Sequence, residues 1–152
     1  MAPFLLTFFL PLYLLMFNQQ IHVHNQAYNL SKGIRFEHGS WKEVLAKAQK
    51  ENKMIFVDFY ATWCGPCKKL KKQTFTDKNV AAYFNENFIN VAIDAEKGEG
   101  IGLSEKYMIE AYPTLLFLHP NGLVYESHVG FFTPEELLVV AEKIKINDFF
   151  KK

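Results

Sequence analysis

Cysteine is scarce in this chain: two among 152 residues, at positions 64 and 67. That excludes a disulfide-dense scaffold of the kind small secreted domains use. Charge of one sign is lacking too. The formal net charge is +1, without the clear basic excess of a nucleic-acid-binding domain. No apolar run is long enough to span a bilayer comfortably. The longest, Phe4 to Phe17, falls short of the ~20 residues a spanning helix needs and is interrupted by Pro11. No Lys or Arg precedes that run and no A-x-A site follows it. There is no internal repeat, and no linker splits the chain.

What is present points to one globular domain. Apolar residues make up 49% and charged residues 22%, a balance unlike that of disordered chains. The N-terminal run has the length of a signal-peptide h-region, roughly 7–15 residues, and reads as an export signal cleaved between about Asn18 and Ala27. The expected division is residues 1–26 as signal and polar lead-in, and 27–152 as the domain. An uncleaved hydrophobic tether is the alternative. Export would place the domain in a compartment that permits disulfides, such as the periplasm. A domain of roughly 125 residues can build its own core without a staple.

The pattern predicts an edge strand near Ile34–Phe36, then a helix opened by Ser40 with Glu43 closing a capping box. Trp41, Val44, Leu45 and Ala48 recur at the spacing of one buried helical face. The run 54–60 is almost continuously apolar and reads as a central strand buried on both faces. A helix through Lys68–Gln73 follows the cysteines. Thr76 or Asp77 caps the next, with Val80, Tyr83 and Phe84 inward. Phe88–Asp94 is a strand, Ile101–Tyr107 a short helix and Thr114–Leu118 another strand. His119-Pro120-Asn121-Gly122 is a turn by composition, and Leu123–Val129 its returning partner. Thr133, Pro134 and Glu136 open the last helix with a second capping box. Helices alternating with strands, then a hairpin, give an α/β layer fold with a mixed sheet.

Two residues between cysteines suit three chemistries. Structural zinc wants four ligands, but there is no third cysteine and His22, His24, His38, His119 and His128 lack ligand spacing; no metal is expected. A staple closing so short a loop would remove little unfolded-state entropy. Redox exchange fits the context. Cys64 stands where a strand gives way to a helix, and helix N-termini favour the thiolate. Cys67 lies one turn in, close enough to attack a mixed disulfide. Asp58 is the single charge in the run 54–60, so burial should raise its pKa.

FVDFYATWCGPC resembles the active-site segment of thioredoxins. The resemblance runs on through INVAID, YMIEAYPTLLFL and HVGFFTPEELL, most of the domain. TFTDKNVAAYF is more similar to the C-terminal thioredoxin-like domains of membrane thiol:disulfide interchange reductases and to small exported relatives. The resemblance implies a thioredoxin-like fold, a central mixed β-sheet flanked by helices. It implies Cys64 as nucleophile and Cys67 as resolving thiol of a redox-active disulfide, with Trp63 covering one side and Gly65-Pro66 setting the turn. Pro113 matches the family's cis-proline, and Tyr112 would pair its backbone with a substrate strand. Asp58 matches the family's buried acid, thought to exchange a proton with Cys67. Thioredoxins often place a lysine near that acid; Asn90 stands there in this chain. Lys68, Lys69, Lys71 and Lys72 read as a solvated helix face that adds positive potential near Cys64.

The implied activity is thiol-disulfide exchange without a cofactor, by a monomer acting on disulfide-containing client proteins and not on nucleic acid. Gly-Pro between the cysteines is the dipeptide of reducing thioredoxins, whose potentials lie near about −270 mV. A reductase outside the cytoplasm would need a membrane electron donor. A disulfide oxidase or isomerase using the same pair, and a non-catalytic binding module, are the other readings.

Overall fold

A computed structural model describes residues 33–150 of the chain. The apolar run Phe4–Phe17 and the expected cleavage region lie outside the described residues. Ser40 opens α1 (Trp41–Glu51) with the expected capping box: its side chain accepts from the Glu43 N–H, and its own N–H donates to Glu43 Oε2 at 2.8 Å. Asp77 caps α3 (Lys78–Asn87) by accepting from the Asn79 and Val80 N–H groups. The last helix, α5 (Pro134–Phe150), begins as expected, with Thr133 donating its N–H to Glu136 Oε2 at 2.8 Å. Each cap satisfies N–H groups that a helix start leaves without partners.

Between these helices run β1 (Met54–Tyr60), α2 (Gly65–Lys69), β2 (Phe88–Asp94), α4 (Glu99–Lys106), β3 (Thr114–Leu118) and β4 (Val124–Val129). The sheet order is β2-β1-β3-β4. β1 and β2 are parallel, while β3 is antiparallel to both β1 and β4. Helices cover both faces of this mixed sheet.

Alternation along β1 divides the core. Ile55, Val57 and Phe59 pack with Val91, Leu116 and Leu118 beneath Trp41, Val44 and Ala48 of α1 and Leu103 of α4. Met54 and Phe56 point the other way, into a cluster with Phe84, Phe117 and the α5 residues Leu137, Ala141 and Ile144. Phe56 is its hub, with ring centroids 4.7 Å from Phe84 and 5.2 Å from Phe117. Fully burying such a side chain contributes roughly 1.5–3 kcal/mol.

One expectation needs correction, and one expected helix is present but changes its winding. Residues 34–36 form no strand. Their N–H groups go to separate partners: Ile34 to the Phe75 carbonyl, Arg35 to Asn85 Oδ1, while Glu37 reaches the Asn90 carbonyl. Donors divided in this way cannot form a ladder. The helix after the cysteines is also not a single α-helix. After Lys69 it widens into a π-helical turn, Leu70–Thr74, closed by the Phe75 N–H on the Leu70 carbonyl at 3.0 Å. The extra residue lets Leu70, Thr74 and Phe75 all turn inward. Two elements shift by one or two residues: α4 runs Glu99–Lys106 and β4 starts at Val124.

Candidate active site

The site lies at the C-terminal end of β1. After Tyr60 the chain makes a tight turn in which the Cys64 N–H donates to the Ala61 carbonyl at 3.1 Å. Cys64 then stands at the N-cap of α2, and its Sγ accepts the Cys67 N–H at 3.1 Å. Pro66 occupies the first helical turn, where no N–H is required. The two cysteines are joined as a disulfide, with Cα atoms 5.3 Å apart. In the reduced protein the N–H now pointing at Cys64 Sγ would face a thiolate and stabilise it. Both sulfur-bearing residues are buried, Cys64 at 3% exposure and Cys67 at 5%. Gly65 and Pro66 are exposed above them.

Tyr112 and Tyr60 pack against the cysteine cluster. The Tyr112–Pro113 bond is cis. Pro113 is tied across the sheet, its carbonyl accepting the Gly130 N–H at 2.8 Å. Trp63 is 66% exposed, which rules out a plain core role for it. Its ring meets Tyr112 edge-on at 6.0 Å, and its indole N–H donates to both carboxylate oxygens of Glu96 at 3.0 Å. Glu96 follows β2, in a turn where its own N–H donates to Asp94 Oδ1.

Asp58 shares the Met54–Phe56 face of β1, in register with Ala92 on β2 and Leu115 on β3. It is 5% exposed, and its Oδ1 has no hydrogen-bond partner among the described residues. Burial pushes its carboxyl up to about 7, against the opposing charge of Lys71. The direction agrees with the expectation from sequence. An acid tied up by backbone donors would have been held low instead. Asn90 is buried and donates its amide N–H₂ to the Phe84 carbonyl at 3.2 Å. It carries no charge toward Asp58, and the cation acting on that acid is Lys71.

The structure thus gathers Trp63, Cys64, Cys67, Tyr112 and Pro113 at one end of the sheet, with Asp58 beneath on β1. Sequence reasoning missed Glu96 and the part played by Lys71. Neither belongs to a spaced motif; the turn after β2 and the π-helical turn bring them in. Among the described residues no cluster of His, Cys, Asp and Glu is placed to hold a metal. An N-cap cysteine bonded to a second one turn later is an arrangement that can exchange disulfides.

A family model described as thioredoxin-like matches residues 37–120. Thioredoxin-1 of Drosophila melanogaster is 39% identical over 71 residues, 47% of this chain and 62% of that protein. The thiol:disulfide interchange protein DsbD of Tatumella citrea is 31% identical over 101 residues, 64% of this chain but 18% of that protein. The chain therefore spans less than two thirds of either curated relative. Among solved structures, one from Bacteroides thetaiotaomicron, provisionally named a disulphide-isomerase, is 50% identical with a TM-score of 0.63, covering 71% of this chain and 90% of its own. A Thermus thermophilus thioredoxin, 22% identical, shares the fold with a TM-score of 0.67 over 75% of this chain and 88% of its own.

Proposed function

Since the chain belongs to the thioredoxin-like family, we propose that it is a thiol-disulfide oxidoreductase and works as a reductase of client disulfides outside the cytoplasm. The observation that carries the exchange chemistry is the Cys64–Cys67 disulfide at the α2 N-terminus, with the Cys67 N–H on Cys64 Sγ. In the proposed reaction the reduced Cys64 thiolate attacks one sulfur of a client disulfide. A Cys64–client bond forms, the client S–S bond breaks, and the other client sulfur leaves as thiolate. Cys67 then passes its proton toward the Asp58 carboxylate and attacks Cys64 Sγ. The mixed disulfide breaks, the second client sulfur leaves, and the Cys64–Cys67 disulfide closes. Two electrons have moved to the client. An acid titrating near pH 7 suits that proton transfer, because a group of matched pKa can both take and return the proton.

In this reading Trp63 and Tyr112 flank the client, Pro113 shapes the groove, and the Gly65-Pro66 turn holds the sulfurs in register. Gly65-Pro66 supports the reducing direction, since it is the dipeptide of reducing thioredoxins. The similarity to DsbD and the N-terminal apolar run support a location outside the cytoplasm, with a membrane thiol:disulfide donor returning electrons. A second reading, disulfide isomerase, is favoured by the 50% identity to the Bacteroides thetaiotaomicron protein. Equilibrating the protein in glutathione buffers and trapping its thiols separates the two. The reductase reading predicts a potential near about −270 mV, and one above about −200 mV overturns it in favour of the isomerase.

A further inference from the structure

The rims on the two sides of the disulfide differ in charge. On the β2 side Trp63 is held by Glu96, an acid. On the β4 side the chain leaves the sheet at Gly130, which is bonded to Pro113, and the next residue is Phe131. Lys69, two residues beyond Cys67, sets its ammonium over the Phe131 ring, 4.1 Å from the centroid. Thr74 clamps the same loop by donating its hydroxyl to the Phe132 carbonyl. Phe131 thereby bridges α2 and the proline loop, with a lysine pinned on its face. Lys68, Lys71 and Lys72 are exposed nearby, and none of the four lysines makes an ion pair among the described residues. A lysine already held on an aromatic ring has less freedom to lose on binding an anion than a free one.

We propose that Lys69, seated on Phe131, is a specificity-determining residue that selects client segments carrying a carboxylate close to their cysteine. Positive charge around the α2 end would steer such segments in, and the pinned ammonium would set where the carboxylate rests. Lys68, Lys71 and Lys72 add to the steering without a fixed position. The inference rests on the exchange reading above but not on the direction of electron flow.

The test uses the full-length chain with Cys67→Ser, so that attack by Cys64 stops at the mixed disulfide. Two symmetric peptide disulfides compete at equal concentration, identical except for Asp or Lys two residues after the cysteine. Adducts are counted by mass spectrometry. At ~20 mM salt the Asp peptide should be captured about 3–10-fold more, with the preference shrinking toward parity by ~0.5 M salt. Adding Lys69→Gln should remove most of the preference, Lys69→Arg should keep it, and Lys72→Gln should lower it by clearly less than Lys69→Gln does. An unchanged ratio in Lys69→Gln overturns the proposal, as does an equal loss in Lys72→Gln, which would make the effect diffuse charge. No adduct with either peptide would overturn the exchange reading itself, and this inference with it.

Discussion

The two faces of β1 are built from one strand and do different things. On one face Ile55, Val57 and Phe59 are wholly buried and apolar, closed over by α1 and α4. On the other, Met54 and Phe56 continue into Asp58, an acid buried almost as deeply. The first face gives up no stability to function. The second carries a carboxyl whose Oδ1 has no hydrogen-bond partner among the described residues, on the side covered by the helix that follows the cysteines. Strand alternation lets one element do both, because residues two apart share a face and neighbours do not.

Substitutions that act on one face but not the other sharpen that contrast. The largest effect should come at the disulfide above it. Cys64→Ser should abolish exchange with a small disulfide substrate while the oxidised-like fold persists by circular dichroism; residual exchange above the uncatalysed rate would break the assignment. Phe59→Ala on the apolar face should cost about 3–5 kcal/mol in denaturant unfolding with little change in the pH profile of exchange. Asp58→Leu should do the reverse. A buried carboxyl raised to about 7 contributes most when neutral. Its contribution is fully present below the unfolded pKa of about 4 and is lost as pH rises through 7. At pH 8 the variant should therefore be more stable than the parent, by about 2–4 kcal/mol, with the gain vanishing near pH 4. Its exchange rate at pH 7 should fall by about 10–100-fold if Asp58 takes the Cys67 proton as proposed. The smallest effect belongs to Ser40→Ala, which removes the α1 cap remote from the sulfurs: about 1 kcal/mol of stability, with exchange unchanged.

Much of this is legible in the sequence. β1, β2 and β3 fall on the expected residues because their apolar runs are bounded by polar turns. The helix starts at Ser40 and Thr133, and one at Thr76 or Asp77, are readable because capping is a local exchange of side-chain and backbone bonds. The cysteine pair was readable for the same reason: strand, turn and helix start are contiguous in sequence. What escaped is non-local or depends on how a helix is wound. Glu96 meets Trp63 across 33 residues. Lys69 meets Phe131 only once β4 has returned along β3. The π-helical turn at Leu70–Thr74 answers to packing of Leu70, Thr74 and Phe75, which no local propensity encodes. The segment 34–36 has strand-like residues, yet Gly33 at φ 76° and scattered bonding partners keep it out of the sheet.

The contrast between the two faces stands or falls on the state of one carboxyl. Titrating the Asp58 side chain by carbon-detected NMR in the oxidised protein reads it directly. A midpoint near 7 is expected, from burial acting against Lys71. A midpoint near the ordinary carboxylate value of about 4 would mean that Asp58 is solvated or hydrogen-bonded, and that the second face is as inert as the first.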